Sequence, residues 1–485
     1  MTALMPPPRT TSPVSEPLRL EGSLLVLSLV GVGAFMAAAG LALRGSSWIL
    51  PDGLLGGGVA LMVMAWFARG ALDIIVVLSP FMFYTLSPVG GILTVGSSDL
   101  LLPVMVGAMV VTAVLGPRVA PERHPHLSAA APVMLILAAV LTAGSISIWT
   151  VADPDFLAKR AIADAVKLGI GVAYLIVVYR LVVNGGHAVA MRAMRLWAWT
   201  ATGLSVGSLA GITGAVEIIP SDGYRSNGYF EDPNLYAGYL LVSFSVVLFL
   251  ATTTNSPWLP LQGLAVTGGL VMTGSRAGLG SLVLLVLFAL VVIRSARLRA
   301  MLLGIVTISI AGSLWLLLNR DSSTSILGLD RLFFASNDVG DDPRVALWGQ
   351  AVDKWLDHPV WGIGLGQFER FSGDVFRVAR TSGLGYVTHN TFLFFLVAFG
   401  VVGLGLFLAL IVWIVARVYR APGLSRNAKH ALMSGVVVLC SQFMTLNLQN
   451  LRYVWVYFGL LLGLSLVARP DGTDRAEDEV AEPAT

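Results

Sequence analysis

Thr388-His389-Asn390-Thr391-Phe-Leu-Phe-Phe-Leu-Val-Ala-Phe399-Gly400-Val-Val-Gly403 joins a polar stretch to a greasy one with nothing between them. The apolar run from residue 391 continues to 416, ample for one helical crossing of a bilayer. Upstream, from Asp321 to Thr388, lie about seventy polar and charged residues, a length that marks a loop as functional or disordered. The junction puts an imidazole at the water-facing mouth of a membrane helix. An ionisable side chain in that place is a functional-site candidate.

Outward from this junction the same pattern repeats. Apolar runs are read at 23–43, 53–68, 71–88, 97–115, 128–149, 162–180, 195–217, 234–252, 257–274, 277–293, 299–318, 391–416, 430–448 and 451–468. The chain is 56% hydrophobic and only 12% charged, with mean hydropathy +0.80. Soluble domains carry roughly a quarter charged residues. The expected fold is therefore all-α, a polytopic transmembrane bundle of about 12–14 spans with one large extracytoplasmic loop, 319–390, containing short helices. Residues 1–22 read as a disordered cytoplasmic tail, 23–217 as N-terminal transmembrane helices, 218–468 as the functional membrane domain and 469–485 as an acidic disordered tail.

Composition also excludes classes of function. A net charge of +3 without a concentrated basic face argues against nucleic acid as a partner. The single cysteine, Cys440, rules out an intramolecular disulfide and a CxxC metal site. No His/Asp/Glu set has metal-ligand spacing, so no metal and no cofactor is expected.

Charge fixes direction. Arginine and lysine are enriched on the cytoplasmic side of membrane proteins. Alternate loops hold Arg69; Arg118 and Arg123; Arg180, Arg192 and Arg195; Arg294, Arg297 and Arg299; and Arg417, Arg420, Arg426 and Lys429. With these loops inside, both termini are cytoplasmic and the 319–390 loop faces outward, in a cytoplasmic (inner or plasma) membrane.

Within that loop, Asp341-Asp342-Pro343-Arg344 opens a short amphipathic helix that runs to Pro359, with proline in the first turn and acids ahead of it. Leu347, Ala351, Trp355 and Leu356 are its expected apolar face, lying on the membrane surface or on other spans. Glycines alternate in Trp361-Gly362-Ile-Gly364-Leu-Gly366, a pattern that permits close backbone approach. Three further outward pieces are Tyr224-Arg225-Ser-Asn227-Gly228 through Pro233-Asn234, Thr273-Gly274-Ser275-Arg276, and Asn447-Leu448-Gln449-Asn450-Leu451-Arg452. Arg225, Arg276, Arg344, Arg452 and His389 thus gather at one face. The planar guanidinium suits phosphate oxygens and stays charged when partly desolvated. Each has a plainer reading. Arg452 and Arg276 sit where interfacial anchors sit, Arg344 is placed to pair with Asp341 or Asp342, Arg225 is in an ordinary loop, and His389 neighbours a helix N-cap.

These residues resemble a known family. His389-Asn390, nine residues, then Gly400-x-x-Gly403 is similar to the signature of the O-antigen ligases and the related Wzy-type polysaccharide polymerases. Ser275-Arg276, Arg344 with Trp348, Asp357-His358-Pro359, Gly362-x-Gly364, and Gly228-x-Phe230 with Pro233-Asn234 resemble its other motifs in the same order, over roughly 225–465. The resemblance implies a membrane glycosyltransferase that takes a glycan from undecaprenyl pyrophosphate and joins it to an acceptor sugar hydroxyl on the outer face of the membrane. It implies neither nucleotide sugar nor metal. His389 is then the general base, Arg276 and Arg344 hold and neutralise the departing pyrophosphate, and Arg225, Asn234, Asn390 and Arg452 are expected to bind substrate. The implied partners are the lipid-linked donor, a glycan or glycolipid acceptor, and membrane lipid. The competing reading is a transporter of a small anion or lipid-linked sugar, which would favour midplane charges and broken helices; a third is a structural partner in an envelope assembly.

Overall fold

The computed structural model describes residues 71–81, 85–89, 93–96, 158–210, 225–230, 232–318, 343–372 and 387–468. Apart from Ala71, these belong to one compact unit, 72–102 with 117–485. The expected spans 23–43, 53–68, 97–115 and 128–149, both tails, and 319–342 and 373–386 of the loop lie outside the described residues.

Among the described residues the chain is all-α but for one short hairpin. Helix α1 (Ala71–Leu78) is followed by the antiparallel strands β1 (Thr85–Val89) and β2 (Leu93–Gly96). Then come α2 (Ala158–Ala210), α3 (Pro233–Thr253), α4 (Trp258–Met272), α5 (Arg276–Val292), α6 (Ala296–Leu318), α7 (Pro343–Asp357), α8 (Phe368–Ser372), α9 (Thr391–Tyr419), α10 (Arg426–Phe443) and α11 (Arg452–Val467). Four described stretches are long and apolar enough to cross a membrane, Asp164–Ala210, Pro233–Thr253, Ala296–Trp315 and Thr391–Tyr419, and the shorter apolar helices α4, α5 and α11 run with them. The molecule is a multi-pass α-helical membrane protein.

One expected span is corrected. Residues 71–88 do not form a single crossing: α1 stops at Leu78, where Ser79 turns its hydroxyl back onto the Val76 carbonyl and Pro80 follows. Proline supplies no N–H and clashes with the preceding turn, so the apolar composition past it is carried by extended chain. Conversely, the run at 162–180 and the described part of the run at 195–217, up to Ala210, fall in the two limbs of α2, which breaks at Gly186 (φ 72°).

The centre of the bundle is α3. It is apolar on all sides, and a helix of that kind is surrounded by others; Tyr236 through Ala251 are buried without exception. Its neighbours are α10, α4 and α2. Trp197 of α2 donates from Nε1 to Ser243 Oγ at 2.9 Å, and Tyr457 of α11 donates to the Leu432 carbonyl at 2.6 Å, so the polar tips of these two core aromatics are satisfied. Helix α11 packs most extensively on α2. Gly459 and Gly463, four apart on one face, let the backbones close: a methyl at Gly459 would stand 2.8 Å from the Leu175 carbonyl oxygen, and one at Gly463 would press into Val182. Small residues at this spacing are how membrane helices approach without a hydrophobic driving force.

The outer surface is apolar where lipid would lie. Val283, Leu287 and Val291 of α5 and Ile308, Ile310, Leu314 and Leu318 of α6 are exposed. The loops 254–257, 293–295 and 420–425 lie at one end of the bundle, where Arg297 bonds Asn255 and the Arg294 amide bonds Asn427. Residues 225–233, 273–276, 388–391 and 444–452 meet at the other end.

Candidate functional site at one end of the bundle

The site is organised by a break. Helix α9 is interrupted at Gly400 (φ 67°, ψ −165°), leaving a short segment, 391–399, and a long one, 401–419. A break strands backbone groups that membrane interiors cannot hydrate. Here a loop from the preceding segment fills it. Ile363 and Gly364 donate from their amides to the carbonyls of Val397 (2.8 Å) and Ala398 (3.2 Å), while the amides of Val401 and Val402 donate to the carbonyls of Pro359 (2.9 Å) and Val360 (3.4 Å). Two glycines make the insertion possible. A methyl at Gly400 would overlap the Val360 carbonyl, and one at Gly362 (φ 72°) would overlap the backbone of Val397 and Ala398. Gly403 receives the Phe399 side chain across the break in the same way. The glycines of the His-Asn signature and of the Trp361 stretch are therefore two halves of one backbone joint.

Helix α7 closes over this joint. Leu347 and Ala351 bury with Ile363, Phe368 and Val397, and Trp355 packs beside them. The expected apolar face is thus confirmed against other spans, except that Leu356 is 60% exposed and belongs to the outer side.

The short segment of α9 borders a cavity, and His389 is on its wall. Asn390 is the N-cap: it is extended (φ −157°) and its side chain accepts from the Leu393 amide. His389 itself has φ 47°, a left-handed conformation unusual for a side chain of its size. It is clamped there from both flanks. Asn447 Oδ1 accepts from Thr388 Oγ1 at 3.0 Å and from the Asn390 amide at 2.9 Å. Trp348 Nε1 donates to the Thr388 carbonyl at 3.1 Å, and Thr391 Oγ1 donates to the Leu446 carbonyl while accepting from the Leu448 amide. Strain of this kind persists only where the surroundings over-determine it.

The cavity measures about 340 Å³. His389, Arg452, Asp164, Lys167, Asp232, Glu369 and the amides Asn447, Gln449 and Asn450 line it, with Phe230, Phe368 and Phe394 as apolar walls. Of the residues expected from sequence, His389 and Arg452 are on this wall. Arg452 is the first residue of α11, 6% exposed, and donates from Nη1 to the Asn450 carbonyl at 2.8 Å. Asn390 sits beneath as the cap.

Arg225 and Asn234 find each other. Arg225 is buried, donating from Nη2 to Asn234 Oδ1 at 3.0 Å and from Nε to the Thr273 carbonyl at 2.7 Å. This brace fixes the turn that presents Ser275-Arg276. Ser275 caps α5 by accepting from the Gly278 amide, and Arg276 follows as the first helical residue, its side chain exposed at this end of the bundle. Arg344 is the second residue of α7, one turn before Trp348 and hence on the face that reaches Thr388. Neither Arg276 nor Arg344 is among the described residues lining the cavity.

Sequence reading did not single out Glu369 or Asp232 for this site. Glu369 belongs to a five-residue helix with no apolar periodicity to flag it, and Asp232 reads as the N-cap it also is. The available signal was position: both flank motifs already noted for other reasons.

A family model described as O-Antigen ligase matches residues 261–408. Over that stretch, about 30% of its length, this multi-pass membrane protein is similar to the O-antigen ligases. The match contains Arg276, Arg344, His389 and the Gly362–Gly400 joint, and leaves Arg225, Asn234, Gln449 and Arg452 outside it. No curated protein matches the chain.

Proposed function

We propose that the protein transfers a glycan from undecaprenyl pyrophosphate to an acceptor sugar hydroxyl on the outer face of the cytoplasmic membrane. The observation that carries this reading is the clamped His389 on the wall of a cavity, at the same end of the bundle as three arginines set at helix N-termini: Arg276, Arg344 and Arg452. A cation is electrostatically disfavoured at a helix N-terminus by about 0.3–1 kcal/mol. Three in that position at one end of the bundle, with Arg452 on the cavity wall, suit an anionic substrate group bound at that end.

In this mechanism His389 takes the proton of the acceptor hydroxyl as its oxygen attacks the anomeric carbon. The bond from that carbon to the pyrophosphate oxygen breaks, and its electron pair leaves with undecaprenyl pyrophosphate. Negative charge grows on the leaving group, and Arg276 and Arg344, held at their helix ends, neutralise it. An imidazole has the proton affinity for such work near neutral pH. The lipid-linked donor carries the driving energy, so neither metal nor cofactor enters. The outward direction rests on the arginine-rich loops at the opposite end.

The broken helices α2 and α9 are features that favour a transporter, since interrupted helices there expose backbone groups to ions. In α9, the break beside the site, the loop 359–364 takes those groups, which supports the enzyme.

The test is reconstitution of the full chain with lipid-linked oligosaccharide. A ladder of lengthening glycans marks a polymerase, and a single transfer to another acceptor marks a ligase. Loss of transfer in His389→Ala and Arg276→Ala, with membrane insertion intact, is the expected result. Wild-type glycan profiles from both variants, or solute uptake with unchanged donor, would overturn the proposal.

A further inference from the structure

The hairpin 444–451 supplies three amide side chains to the cavity wall, and they are not equivalent. Asn447 is committed, since its Oδ1 already holds the two residues that flank His389. Gln449 is 3% exposed, and its Oε1 accepts from no protein donor; the Oδ1 of Asn450 is likewise buried without one. Their backbone carbonyls do the structural tasks at this point. Gln449 O accepts from Trp455 Nε1 at 2.8 Å, and Asn450 O from Arg452 Nη1 at 2.8 Å. The side-chain oxygens are thus not needed to hold the hairpin. Buried acceptors without donors are rare in native proteins and call for a reason. Both residues line the cavity, so a rotation of either side chain brings its oxygen to a ligand that supplies the donors.

The rest of the wall says what kind of ligand. Phe230 and Phe368 offer flat apolar surface, and Asp232 and Glu369 add further acceptors. Aromatic surface beside clustered acceptors fits a molecule with apolar C–H faces and many O–H or N–H donors on its rim, as a pyranose has. We propose that Gln449 and Asn450 form a sugar subsite, accepting hydrogen bonds from hydroxyl or N-acetyl N–H groups of a glycan unit held beside His389. The inference rests on the transferase reading and deepens it. It also predicts a class of glycan. Among the described lining residues the carboxylates Asp164, Asp232 and Glu369 outnumber the fixed cations Lys167 and Arg452, and Lys167 already lies 3.8 Å from Asp164. A uronic acid brought to this wall meets like charge, whereas a neutral or N-acetylated sugar does not.

The experiment uses the full chain in lipid nanodiscs, with the variants Gln449→Met and Asn450→Ala and their double. One arm compares the affinity for undecaprenyl pyrophosphate bearing N-acetylglucosamine with that for the bare lipid. The other measures binding of chitotriose, neutral and N-acetylated, against trigalacturonate. The wild type should prefer the sugar-bearing lipid, or bind chitotriose over trigalacturonate, or both. Each single variant should cut that preference roughly three- to tenfold, the worth of one neutral hydrogen bond. Bare-lipid affinity should stay unchanged. Melting temperature should hold or rise in Gln449→Met, because a stranded acceptor is removed; a merely structural glutamine would lower it and leave sugar binding alone. Preference in the lipid arm assigns the subsite to the donor sugar, and preference in the soluble arm to the acceptor. Sugar preference intact in the folded double variant, no sugar dependence in either arm, or tighter trigalacturonate binding overturns the inference. Chitotriose binding that depends on Gln449 while the bare lipid is not bound would leave the subsite standing and sink the proposed donor instead.

Discussion

His389 combines a strained backbone with a proposed chemical task, and the two separate by substitution. Left-handed conformations at a non-glycine residue cost on the order of 1–3 kcal/mol, and glycine adopts them freely. His389→Gly should therefore melt at least as high as the wild type in detergent, and His389→Ala should not gain in this way. Both should lose transfer by roughly 10²–10⁴-fold if the imidazole is the general base. Equal activity in the glycine variant would assign His389 to structure alone. Asn447 touches neither reacting atom in the proposal, yet it holds both flanks of His389. Asn447→Ala removes two hydrogen bonds, about 1–3 kcal/mol in sum. It should lower the melting temperature and slow transfer with little change in donor affinity. A drop in affinity without a drop in rate would argue against a positioning role. The arginines were visible in sequence as charges at span edges. That Arg225 is spent on Asn234 and Thr273 was not, because a brace between a loop and a turn forty-eight residues apart has no local signature.

Among the helices, α9 shows where sequence reading runs out. Its apolar run marked a span correctly, and the observed end, Tyr419, lies one turn beyond the expected one. The interruption at Gly400 left no trace in hydropathy, since the residues on both sides are equally greasy. Only the glycine hinted at it, and glycine is common in membrane helices. The span expected at 71–88 failed for the opposite reason: composition outvoted Pro80 and Pro88, although proline decides backbone hydrogen bonding whatever its neighbours weigh. The joint between α9 and the loop 359–364 is testable. Gly400→Ala and Gly362→Ala each drive a methyl into backbone that cannot yield. Each should destabilise by more than about 1 kcal/mol and abolish transfer, read as a lowered melting temperature and absent product. Wild-type melting in both would show that the loop does not dock in the break.

For the whole molecule, the prediction concerns direction. Asp357 is exposed at the cavity end, and Pro422 is exposed at the other, beside the arginine-rich turn. Asp357→Cys should react with a membrane-impermeant maleimide on intact cells, and Pro422→Cys only after the membrane is opened. The reverse pattern would invert the proposed topology. Cys440→Ser supplies a background without native thiols. At this scale the sequence was most legible, because lipid imposes one rule on every span and arginine bias another on every turn. The cavity was least legible, because its walls come from α2, α3, α8, α9 and the 444–451 hairpin, whose meeting no local pattern encodes. The loop that mends α9 has a further consequence, for the order of assembly. Residues 359–364 leave the ribosome before 397–402, so the plug exists before the gap it fills. Until that loop has docked, the span carries unpaired amides and carbonyls that lipid will not accept. The span becomes compatible with the bilayer only once that loop is in place, which ties the settling of α9 in lipid to the docking of the loop beside His389.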